Sequence, residues 1–170
     1  MHIEERIAEL GLTLPAAPRP PATHPPATAT ESLPPDWVRV AGRRVLVSGH
    51  GPLLPDGTPA GPFGRVPDEV PLEVAQESAR LAALAVIGTV QRAVGDLDRV
   101  AAWLTVSGFV FAEPGYRHTT AVLNAFSAVV HDVFGREVGA HARTAIGAAT
   151  LPLGVPVVVA AELELRDALD

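Results

Sequence analysis

The segment GAHARTAIGAATLPLGVPVVVAAELEL, Gly139 to Leu165, reads as two strands of small and apolar residues. A guanidinium, Arg143, stands inside the first of them, with His141 two positions earlier. Residues i and i+2 of a strand point to one face about 7 Å apart. The two side chains are therefore expected to work on one ligand or one neighbour. A guanidinium is a planar fork of donors that matches a carboxylate and stays ionised when partly dehydrated. One expectation is an anion site with Arg143 as anchor and His141 as a second contact. The alternative follows from the cost of an unpaired buried charge. In that case Arg143 is neutralised by Glu162 or Glu164, or by a salt bridge between subunits, and His141 is an interface histidine.

A second constellation is VLVSGHGPL, Val45 to Leu53. Ser48 offers a hydroxyl, Gly49 and Gly51 allow close backbone approach, and His50 titrates near neutral pH. A site wall and an ordinary strand exit with a solvated histidine are both consistent with this pattern. Asn124 falls off the apolar stripe of its helix, where its amide can meet a cleft or a neighbouring subunit. Tyr116 is placed at the start of the same helix, lining a site or simply packing. No metal is expected. The chain has six histidines but no His-x-x-x-His pair, and His118 and His131 are too far apart on one helix to share an ion. The absence of cysteine excludes disulfides and thiolate chemistry.

The elements that must position these groups follow from periodicity. Ile3, Ile7 and Leu10 give a short amphipathic helix stopped by Gly11. Pro15 to Trp37 carries eight prolines and reads as an extended arm, either loose or strapped to a surface. A hairpin follows, with Val38 and Val40 on one strand, a turn at Ala41-Gly42, and Val45 and Val47 on the next. Leu72, Ala75, Ala79, Ala82, Val86, Val90 and Val94 mark a long helix from about Pro71 to Gly95. Arg99 to Ala112 is a strand, with Leu104, Val106 and Val110 on one face and Trp103, Thr105, Ser107, Phe109 and Phe111 on the other. Val122, Phe126, Val129, Val130 and Val133 form the stripe of a second helix that spans PGYRHTTAVLNAFSAVVHDVFG and ends at Gly135. The order predicts an α+β layer, one sheet with both long helices on one face, and an apolar second face covered by another subunit. Residues 1–36 form the helix and arm, and 37–170 the main domain.

At 170 residues with 48% hydrophobic and 19% charged side chains, the chain suits a single globular domain. A net charge of −6 without a basic run argues against nucleic acid or an anionic membrane as partner. No apolar stretch approaches a membrane span, and the charged start lacks the order of a signal peptide. A soluble, cytoplasmic protein is the expectation.

VLVSGHGPL, ESARLAALAVIGTVQRAVGDLDRV, SGFVFAEPGYRHTTAVLNAFSAVVHDVFG and GAHARTAIGAATLPLGVPV together resemble the Rid/YjgF superfamily, most of all its longer, uncharacterised, endoribonuclease L-PSP-like branch. The match spans about Trp37 to Leu165. It implies a chorismate-mutase-like α+β fold and a homotrimer with small-molecule clefts between subunits. It also implies, without a cofactor, hydrolysis of an enamine or imine such as 2-aminoacrylate to a keto acid and ammonia. By this resemblance Arg143 grips the substrate carboxylate, Ser48, Gly49 and Gly51 line the cleft, and Asn124 occupies a common asparagine position. His50 stands where many relatives have glutamine, and Tyr116 lies near where relatives close the cleft.

One position departs from the family pattern. Deaminating relatives carry a water-positioning glutamate fifteen residues after the arginine, and Val158 stands there in this chain. Glu162, about 13 Å further along the strand, does not replace it. Three readings follow: a deaminase or related hydrolase using Arg143, water and His50, a non-catalytic trimer that binds a small carboxylated metabolite, or a member recruited to a biosynthetic step. An acidic chain is a poor match to RNA, which disfavours the endoribonuclease label.

Overall fold

The computed structural model describes residues 2–19 and 36–169. Residues 20–35, which hold most of the proline arm, lie outside the described residues. Helix α1 (Ile3–Glu9) precedes the hairpin β1 (Val38–Ala41) and β2 (Arg44–His50), then α2 (Leu72–Val94), β3 (Val100–Phe111), α3 (Thr119–Val138), β4 (Ala142–Ala148) and β5 (Val157–Leu165). The five strands form one sheet in the order β1-β2-β5-β3-β4. All pairs are antiparallel except β3 with β4.

Helices α2 and α3 cover one face, and the expected α+β layer is what forms. Small side chains let α2 approach closely: Ala75, Ala79, Ala82, Ala83 and Ala85 are fully buried, and Gly95 ends the helix at φ +80°. Helix α3 buries Val122, Phe126, Val129, Val130 and Val133, the stripe read from the sequence. Its regular part breaks at Gly135 (φ 74°), and a last turn runs on to Val138. Glycine is also required at Gly108 on β3, where a Cβ would lie 2.5 Å from the buried Leu123 side chain. That contact brings α3 down onto the sheet.

Three expectations are corrected. The hairpin turn is Gly42–Arg43, one residue later than predicted, because Ala41 already pairs with Arg44. Trp103 does not share a face with Phe109. Register shifts between Val100 and Ala102 and between Trp103 and Thr105 add residues to β3 and turn Trp103 toward the helices. There its ring meets Phe126 at 6.2 Å and Phe134 at 5.6 Å, centroid to centroid. The strand carrying Arg143 is not a buried one: β4 is an edge strand and pairs only with β3.

The N-terminal segment lies against this body. Ile7 is buried in the core cluster, and Arg6 Nε donates to the Asp132 carbonyl at 3.0 Å. Ala16 and Arg19 donate backbone hydrogen bonds to Pro55 and Gly57.

Candidate functional site

Arg143 pairs in register with Val106, whose side chain is buried beneath the helices, so Arg143 points to the same side, toward α3. Its Nη1 donates to Ser127 Oγ and its Nη2 to Asn124 Oδ1, both at 2.9 Å. Both partners are neutral. Glu162 and Glu164, the acids that would neutralise it in the alternative reading, are taken by Arg44 and Arg43. Among the described residues no carboxylate forms an ion pair with Arg143. The fork is oriented, half-buried and uncompensated.

His141 points the same way, as the i, i+2 spacing requires. Its Nδ1 lies 2.6 Å from the Gly139 carbonyl and its Nε2 2.9 Å from Ser127 Oγ. Its ring stacks on His131 at 5.6 Å. Burial holds its pKa below the usual imidazole value, and the neighbouring His131 and Arg143 push in the same direction. A carbonyl only accepts, so Nδ1 carries the proton and Nε2 is left as an acceptor.

His50 occupies a different place. It is 2% exposed on β2, with Nδ1 at 2.7 Å from the Ser48 carbonyl and Nε2 at 2.9 Å from Thr89 Oγ1 on α2. Arg92 Nη2 donates to the same hydroxyl, and Arg92 Nη1 donates to the Pro15 carbonyl. Trp37 closes over the ring at 5.1 Å. Strands β5 and β3 lie between β2 and β4, so about 14 Å of sheet separates His50 from Arg143 within one chain. The solvated strand exit does not form, and the ring is locked rather than free.

This burial has a measurable consequence. Desolvation lowers the His50 pKa in the folded protein, and Arg92 lowers it further. The unfolded chain therefore binds more protons than the folded one once the pH falls below the ordinary imidazole pKa of about 6.5. Stability is expected to be full above that pH and to fall as the pH drops toward the folded-state pKa. His141 adds a contribution of the same sign. Denaturation midpoints between pH 7.5 and 5 should fall in the wild type and fall less in His50→Gln. Equal slopes would show that His50 is not the group responsible.

No family model matches the chain. Protein TCP17 of Trypanosoma cruzi is 33% identical over 167 residues, covering 98% of this chain and 96% of that protein. The crystal structure of Atu1372 from Agrobacterium tumefaciens, a protein of unknown function, is 32% identical with a TM-score of 0.80, covering 96% of this chain and 92% of the other. The E. coli YjgF gene product shares the fold at 19% identity and a TM-score of 0.56, over 91% of this chain and 98% of its own. The chain has the fold of the YjgF structures. E. coli TdcF, solved with bound serine, has the same fold at 16% identity and a TM-score of 0.56, over 89% and 94% of the two chains.

In this YjgF-like fold the remaining candidates do not all meet Arg143. Val158 pairs with Phe109 and shares its face, the one away from the helices, whereas Arg143 shares the face of Val106. A group at position 158 therefore does not reach the guanidinium of its own chain. Gly49 lies beside Val158, and a Cβ there would stand 2.7 Å from Val158 Cγ1. Ser48 Oγ donates to the Trp37 carbonyl at 3.3 Å, and Gly51 abuts Val155. Tyr116 is not in a helix. It sits three residues ahead of α3, packed against His118, with a buried hydroxyl that has no hydrogen-bond partner among the described residues. Burial, then Glu73, raises its pKa.

Two surface grooves, of about 290 and 300 Å³, lie between α2 and α3 and beneath Trp37, and neither is lined by Arg143. The sequence reading missed Ser127. The signal was present: Asn124, Ser127 and His131 recur at helical spacing as a polar stripe beside the apolar one.

Proposed function

We propose that this protein is a Rid-type hydrolase acting on the imine or enamine of a small carboxylic acid, with the substrate carboxylate held by Arg143. The supporting observation is the guanidinium itself: two neutral groups orient it and, among the described residues, no acid pairs with it. An oriented, half-buried guanidinium of this kind favours an anion that offers two oxygens. Serine bound to TdcF, a protein of the same fold, is a small carboxylate and supports this ligand class.

In this reading a neighbouring copy completes the cleft. The helix-free sheet face carries Leu46 and Ile146, 40% and 48% exposed, beside Phe109, Val158 and Ala160. An apolar surface of this extent suits a subunit contact, here a homotrimer. The substrate class needs little from the protein. An imine is already electrophilic, so a site that binds, orients and supplies a proton path shortens the reaction.

The test is keto-acid release from freshly generated 2-aminoacrylate. Rates above the spontaneous hydrolysis are expected, and an unchanged background rate overturns the reading. A second reading rests on Val158, which cannot orient water. It describes a non-catalytic trimer that binds a small carboxylate. Thermal stabilisation by 2-keto acids without turnover would favour it.

A further inference from the structure

We infer that Ser127 and His141 form the proton-transfer pair of this site, replacing the glutamate absent at Val158. The inference rests on the hydrolase reading above and adds Ser127, which the sequence reading did not place in the site.

The hydrogen-bond directions carry it. The Gly139 carbonyl, 2.6 Å from His141 Nδ1, fixes the proton on that nitrogen. His141 Nε2 is then an acceptor, and the hydroxyl of Ser127 donates to it at 2.9 Å. The Ser127 oxygen in turn accepts from Arg143 Nη1 at 2.9 Å. The carbonyl, imidazole, hydroxyl and guanidinium thus form one directed chain. A base oriented by a third group and bonded to a hydroxyl is the arrangement that activates an O–H. The adjacent guanidinium stabilises negative charge developing on the serine oxygen. The same fork is proposed to hold the substrate carboxylate, which places the reacting carbon beside Ser127.

The groups facing His141 are His131 stacked from α3, Arg143 from β4, Ser127, and the Trp103 ring at 6.3 Å. Among the described residues no carboxylate forms an ion pair with His141. Burial lowers the ring's pKa and so favours the neutral form that a base requires.

The step balances without an oxidant or metal. The substrate enters as the protonated imine. A water oxygen attacks the imine carbon, and the C=N π pair moves to nitrogen. The water proton passes to Ser127 Oγ as the serine proton passes to His141 Nε2. The reverse transfer protonates the carbinolamine nitrogen. The C–N bond then breaks as the hydroxyl oxygen forms C=O, and its released proton leaves with ammonia as ammonium.

The experiment compares wild type, Ser127→Ala, Ser127→Thr and His141→Gln on freshly generated 2-aminoacrylate. The expected result is a kcat about 100-fold lower in Ser127→Ala and His141→Gln, with KM within about threefold, and substantial recovery in Ser127→Thr. Wild-type kcat should rise with pH along a limb that His141→Gln removes. Imidazole 15N shifts should show His141 protonated at Nδ1 at pH 7. Full kcat and an unchanged pH profile in both variants, with an active wild type, overturn this inference alone. An Nε2-protonated His141 does the same. A wild type without activity removes the hydrolase reading and this one with it.

Discussion

Arg143→Ala is expected to reduce kcat/KM on a carboxylated imine by about 10²- to 10⁴-fold. A charge-assisted hydrogen bond contributes about 1.5–3 kcal/mol, and a two-pronged grip loses two. The substitution also leaves Ser127 and Asn124 without the donor that orients them. Its cost to folding should be small, because β4 is an edge strand and the removed charge has neutral partners only. Arg143→Lys keeps the charge but not the fork. It should recover part of the binding and little of the orientation, with KM nearer to wild type than kcat. The measurement is steady-state kinetics together with a thermal midpoint. Retained activity in Arg143→Ala, with an unchanged midpoint, would show that the substrate carboxylate is held elsewhere.

Trp103→Ala is expected to be the costliest single change to the fold, about 3–5 kcal/mol. The indole is 2% exposed and sits between Phe126 and Phe134 of α3. Its removal leaves a void where the sheet meets the helix that carries Asn124 and Ser127. Against a total stability of about 5–15 kcal/mol this is a large share, and the melting temperature should fall by on the order of 10 °C. Trp103→Phe should cost much less. The indole Nε1 is buried without a hydrogen-bond partner among the described residues, so its removal breaks no bond there. Equal losses in the two variants would show that the edge of the indole, not its bulk, matters.

The comparison of sequence with structure separates what periodicity reveals from what it does not. The helical stripe at Val122, Phe126, Val129, Val130 and Val133 was readable because period 3.6 survives any arrangement of neighbours. The joint direction of His141 and Arg143 was readable because period 2 is a property of the strand. Trp103 was misplaced for the same reason: two register shifts in β3 break the alternation, and no residue type announces them. Strand order is not local either. Val158 and Arg143 stand fifteen residues apart in sequence, yet β5 lies at the centre of the sheet and β4 at its edge, and the two side chains emerge on opposite faces. Ser127 shows in the sequence only as one member of the polar stripe Asn124, Ser127 and His131, which does not say what the stripe meets. Only the packing of α3 over β4 gives it a histidine and an arginine.

The His50 cluster repeats the hardware of the His141 cluster. In each, an imidazole rests on a carbonyl two residues upstream and faces a helix-borne hydroxyl that also receives an arginine N–H. One copy is roofed by Trp37 and anchored to Pro15, while the other lies half-buried at the β4 border of the sheet. The protein thus contains its own blank: a reagent that reaches imidazoles through solvent should modify the half-buried twin faster than the enclosed one, reporting accessibility with the local chemistry held constant.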